Sequence, residues 1–90
     1  MVQCFSVRVF GRVQGVFFRD SARRRAVKLG LAGYAKNMPD GSVEIAVQGE
    51  EAIINEFIKW ARGGPMFARV DRVETEELPL GDFTDFEIRY

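Results

Sequence analysis

The sequence predicts an α+β fold, a sandwich of one mostly antiparallel sheet with two helices on one face and a short C-terminal fifth strand. Three observations predict it. Apolar residues alternate with period two near 5–9, 43–47 and 86–90, as half-buried strands require. Two intervening stretches switch to helical spacing and end in glycine, and a Pro-Asp-Gly turn joins two of the strands directly as a hairpin. The resulting βαββαβ order is that of the split βαβ, or ferredoxin-like, sandwich.

The first strand places Phe5, Val7 and Val9 on one side and Cys4, Ser6 and Arg8 on the other. Gly11 and Gly15 bracket the following loop, where glycine permits backbone angles that other residues resist. From Phe18 an apolar stripe through Ala22, Ala26 and Leu29 predicts a helix, with Arg23, Arg24 and Lys28 largely outside it and Gly30 as its stop. A second strand is expected over 31–38, followed by the turn Met38-Pro39-Asp40-Gly41 and a third strand over 42–48. Glu50 and Glu51 stand where a helix N-terminus favours negative charge. Ile53, Phe57, Trp60 and Ala61 form the second apolar stripe, which ends at Gly63-Gly64-Pro65. Val70 and Val73 differ by three, so the strand expected over 71–78 begins with a bend or bulge. A loop at 79–82 leads to the short last strand carrying Phe86, Ile88 and Tyr90.

Ninety residues suffice for one domain, expected over 1–90, and leave no room for a second core. The composition, 47% apolar and 29% charged, is globular rather than disordered. Histidine is absent, which excludes a histidine general base, any Ser-His or Cys-His nucleophile and every imidazole metal site. With Cys4 as the single cysteine, neither an intrachain disulfide nor a thiolate zinc site can be built, so no metal and no cofactor is expected and a reducing cytoplasm is the natural compartment. The N-terminus does not read as a signal peptide, and the longest run without a polar side chain, 29–35, is far short of the roughly 20 residues that cross a bilayer. Net charge is zero, but the signs are segregated. Residues 1–36 hold eight Lys and Arg against one acid, giving +7, while 37–90 hold five against twelve, giving −7. Such asymmetry either marks a site for an anionic partner or reflects ordinary solvated faces.

Chemistry concentrates in Gly11, Arg12, Val13, Gln14, Gly15, Val16, Phe17, Phe18 and Arg19, a loop that leaves a strand and runs into a helix with glycine at both bends. Successive backbone N–H groups in such a turn can form an anion-binding nest, supported by the helix's unpaired donors and partial positive charge. The loop is neither a Gly-Lys-Ser/Thr phosphate loop nor a Gly-x-Gly-x-x-Gly dinucleotide fingerprint. Arg19 meets the unfavourable end of the helix dipole, a placement that a bound anion would reverse in sign. Its planar guanidinium can grip two phosphate oxygens; the competing readings are a solvated side chain or a pair with Asp20.

These nine residues, with Gly33-Tyr-Ala-Lys-Asn37 further on, resemble the acylphosphatases. The similarity extends through the Asp-Gly hairpin, Val47-Gln-Gly49, the Trp60 helix with its Gly-Pro ending, Val70-Asp-Arg72 and the terminus Phe86-Glu-Ile-Arg-Tyr90. It implies metal-independent hydrolysis of the carboxyl-phosphate bond of acyl phosphates to a carboxylate and inorganic phosphate. It further implies that the amides of Gly11 to Phe18 and the Arg19 side chain hold the phosphate, and that Asn37 positions the attacking water. Many members carry threonine after that asparagine, where Met38 stands here, so any role of that hydroxyl is absent or taken by another group.

A histidine-free inventory suits such chemistry, because phosphoryl transfer depends on positioning and charge stabilisation. A carboxylate leaving group, of conjugate-acid pKa about 4, needs no general acid at neutral pH. Other residues read as structure. Arg23, Arg24 and Arg25 form a solvated helix face, Trp60, Phe57 and Phe86 belong to the core, and Phe17 and Phe18 anchor the loop rather than touch substrate. The acids from Glu74 to Glu77 lack ligand spacing and form a soluble strand surface. Two other classes compete with this reading. RNA-recognition modules share the βαββαβ order but read bases on aromatic residues of the central strands, whereas here the third strand has none and the chain is not basic overall. A regulatory anion-binding module would use the same nest without turnover. The sequence favours a small-molecule enzyme acting as a monomer, without nucleic-acid or membrane partners.

Overall fold

The computed structural model describes residues 1–90. Its elements are β1 (Val2–Arg12), α1 (Phe18–Leu29), β2 (Ala32–Asn37), β3 (Val43–Glu50), α2 (Glu51–Gly63), β4 (Arg69–Leu78) and β5 (Phe86–Arg89). They build the ferredoxin-like sandwich that the element order predicts. The five strands lie in the order β4-β1-β3-β2-β5. All neighbours pair antiparallel except β2 and β5, which run parallel. This parallel pair brings the end of β5 beside the end of β2, and with it Ile88 and Tyr90 to the same end of the sheet as Asn37.

Period-two alternation sends Val7 and Val9 of β1 and Val43, Ile45 and Val47 of β3 to the helix-covered face, where they are fully buried with Phe18, Ala22 and Ala26 of α1 and Ile54, Phe57 and Ala61 of α2. Within α2 the fully buried stripe is Ile54, Phe57 and Ala61, while Ile53 and Trp60, expected in the core stripe, pack at its margin. Trp60 lies between the two helices, its ring 5.7 Å from Phe18 and 5.5 Å from Phe57. Leu31 seals the sheet end where Gly30, at φ 74, donates to Val27 and closes α1. Phe86 is buried, as expected.

Several boundaries differ from the sequence reading: β2 starts one residue later than expected, β3 runs to Glu50, β4 starts at Arg69, and the ends of β1 and β2 shift as well. β1 continues through Gly11 to Arg12, so the connecting loop is shorter than the glycines suggest. The expected bulge is present, with the register of β1 and β4 slipping between Phe10↔Arg72 and Gly11↔Val70, which leaves Asp71 as the extra residue. Gly11 sits at φ 133 against this bulge, and a Cβ there would lie 2.1 Å from the Arg69 carbonyl oxygen. Its glycine is required by close backbone approach to β4. β2 ends at Asn37, one residue early, because the Met38 amide turns to the Ser42 carbonyl and closes the hairpin.

Candidate active site

Between β1 and α1 the chain makes a tight turn, residues 13–17. Gly15 takes φ 76 and Phe17 takes φ 61, ψ 28, both left-handed. For phenylalanine this conformation costs on the order of 1–2 kcal/mol. None of the N–H groups of Val13 to Phe17 appears among the turn and loop hydrogen bonds, and the first-turn amides of α1 lack i−4 carbonyl partners as in any helix. A run of consecutive main-chain donors is therefore left without backbone acceptors. The first bond that closes α1 runs from the Ser21 amide to the Phe17 carbonyl at 3.0 Å.

This turn forms one wall of a cavity of about 560 Å³ lined by Val13, Gly15, Phe17, Phe18, Arg19, Asp20, Asn37, Ile88 and Tyr90. Arg19 and Asn37, 18 positions apart, thus meet in one space, together with Gly15. Gly11 and Arg12 do not reach it; they pair with β4, opposite Val70 and Arg69. Gln14 and Val16 belong to the turn but do not line the cavity either. A second hollow, on the opposite sheet face around Arg8, Tyr34 and Glu44, contains none of these residues.

The Arg19 side chain neither pairs with Asp20 nor swings free. Its Nη1 donates to the Arg89 carbonyl at 3.0 Å, and its guanidinium lies 4.6 Å from the centre of the Tyr90 ring. Asp20 instead pairs with Arg24 at 2.7 Å, one helical turn on. The arginine is thus held at the cavity by β5.

The two aromatic residues expected to anchor the loop behave differently. Phe18 does so, buried to 1% against Trp60, whereas Phe17 is 76% exposed. The expectation for Phe17 is corrected: a left-handed residue opening a helix points its ring away from the core into which the next residue packs.

Gln14 is the residue whose function sequence reasoning missed. Its Nε2 donates to the Met38 carbonyl at 2.8 Å and to the Ser42 carbonyl at 2.9 Å, tying the turn to the hairpin that begins at Asn37. The same hairpin is braced by Asp40, whose Oδ1 accepts from the Ser42 amide at 2.9 Å and from the Ser42 hydroxyl at 2.5 Å. These donors hold the Asp40 carboxyl below its ordinary value. Ser42 is itself buried. With Met38 offering no hydroxyl, the bonds that order this hairpin come from Gln14, Asp40 and Ser42.

Fold and cavity together define the class: a ferredoxin-like α/β sandwich whose β1–α1 turn exposes unpaired amides beside an arginine. The acylphosphatase family model matches residues 5–88. An acylphosphatase from Rubrobacter xylanophilus is 51% identical over 84 residues, which cover 92% of this chain and 76% of that protein. Among solved structures, an acylphosphatase from Coxiella burnetii superimposes with a TM-score of 0.94 at 42% identity, covering 98% of this chain and 93% of the other. One from Bacillus subtilis gives 0.94 at 36% identity, with both chains covered completely. The chain belongs to the acylphosphatase family, as the motif resemblance implies.

Proposed function

We propose that the protein is an acylphosphatase that hydrolyses the carboxyl-phosphate bond of small acyl phosphates without a metal, and that the β1–α1 turn, Arg19 and Asn37 carry the reaction. The observation that carries this reading is the meeting of Gly15, Arg19 and Asn37 at one cavity. The phosphoryl group seats against the free amides of the turn and the first turn of α1, where aligned dipoles favour an anion. Arg19, steadied by the Arg89 carbonyl, neutralises charge as it grows on the equatorial oxygens.

The Asn37 side chain orients a water for in-line attack on phosphorus. The P–O bond to the acyl oxygen breaks, the acyl group departs as a carboxylate, and the water's proton passes to the phosphate. No side chain has to act as acid or base, which fits a chain without histidine. Within this reading Gly11 and Arg12 shape the turn through β4 rather than contact phosphate. The protein acts as a cytoplasmic monomer on small molecules. Its open sheet face carries Glu44, Glu74 and Glu76, which oppose a nucleic-acid backbone. No helix is long and apolar enough to cross a membrane.

The test is phosphate release from benzoyl phosphate with EDTA present. Wild type is expected to turn over steadily, and Arg19→Ala and Asn37→Ala each to lose at least about a hundredfold in kcat/KM. Turnover unchanged in either variant would remove that residue from the mechanism.

A further inference from the structure

Phe17 combines three properties that have no structural explanation together. Its backbone is in a left-handed conformation that phenylalanine disfavours, its ring is 76% exposed, and it lines the cavity that holds Arg19 and Asn37. A fold that needed only the backbone angle would be served by glycine or asparagine, and a fold that needed an apolar anchor has one in Phe18, at 1% exposure. The other apolar walls are buried, half-buried as Ile88 is, or already partnered. Val13 is buried to 1%, and the exposed Tyr90 ring already carries the Arg19 guanidinium at 4.6 Å. Phe17 is the exposed aromatic ring of the cavity with no cation or aromatic partner of its own.

We propose that Phe17 is a specificity-determining residue whose ring contacts the acyl group of the substrate, so that the enzyme favours acyl phosphates with flat, apolar acyl groups over the smallest aliphatic ones. This rests on the acyl phosphate reading above. The phosphate occupies the amides and Arg19, and the acyl group projects from it into the part of the cavity bounded by the Phe17 ring. An aromatic acyl group gains offset or edge-to-face contact and covers surface that water otherwise wets, whereas an acetyl group is too small to cover it.

The experiment compares kcat/KM for benzoyl phosphate and acetyl phosphate in wild type, Phe17→Ala, Phe17→Gly and Phe17→Tyr. Wild type is expected to prefer benzoyl phosphate. The benzoyl-to-acetyl ratio is expected to fall about tenfold in both Phe17→Ala and Phe17→Gly and to be retained in Phe17→Tyr. The glycine variant separates the two roles, because it adopts the native backbone angle freely and lacks only the ring. A ratio unchanged in Phe17→Gly, whatever happens to the two rates individually, overturns the proposal and leaves the ring a part of loop shape. Failure of wild type to release phosphate from either compound instead overturns the acyl phosphate reading, and this proposal with it.

Discussion

Gln14 donates both of its amide hydrogens, to carbonyls 24 and 28 residues further on, and so fixes the β1–α1 turn against the β2–β3 hairpin. The turn supplies the proposed phosphate seat and the hairpin starts at Asn37, so one side chain sets the distance between the two halves of the site. Gln14→Ala removes the second donor from each carbonyl, leaving the Gly41 and Met38 amides on them, and lets the halves drift. We expect a fall in kcat of about tenfold with a smaller change in KM, and a loss of about 1–3 kcal/mol of stability, read from steady-state kinetics and urea unfolding. The sequence motif contains Gln14, but its partners were illegible there, because a non-local hydrogen bond to main chain leaves no trace in residue spacing. The exposure of Phe17 is hidden in the sequence for a related reason. Adjacent phenylalanines look equivalent until the left-handed turn sends one inward and the other out.

Among the elements, periodicity made most of the fold legible: both helices, the β2–β3 hairpin and the bulge near Val70 follow from spacing and turn chemistry. The partners of β5 did not. Its parallel pairing with β2 is a long-range choice, and it is what delivers Ile88, Tyr90 and the Arg89 carbonyl to the cavity. The pairing of β2 with β3 depends on a backbone contact at Gly33, φ 144, where a Cβ would stand 1.8 Å from the Ala46 carbonyl oxygen. Gly33→Ala forces these strands apart two turns of the pleat from Asn37. A loss of at least about 2–4 kcal/mol is expected, measured as a lowered urea midpoint, with activity falling alongside.

Across the whole molecule the segregated charges of the sequence become a network on the open sheet face. Arg8 donates to Glu44 at 2.9 Å and the Tyr34 hydroxyl donates to the same carboxylate at 2.8 Å. The Tyr34 hydroxyl and Arg8 hold Glu44 below its ordinary 4.5. A carboxyl lowered in the folded state contributes stability that is present above its unfolded value and is lost as pH falls through the folded one. Stability is therefore expected to decline on acidification below about pH 4.5, and Glu44→Gln to flatten that decline, measured as the thermal midpoint between pH 6 and pH 3.

The strand order leaves β4 paired on one side only, with ten residues of main chain at the sheet's rim. Such a rim is a template on which another chain can extend the sheet. Along it stand Asp71, Glu74, Glu76 and Glu77, all exposed. Arg69 and Arg72 pair with the first two of these acids, so a second copy adding a strand to this rim would have to strip water from a dense row of charged side chains, a cost that protects the edge farthest from β5 from sheet extension.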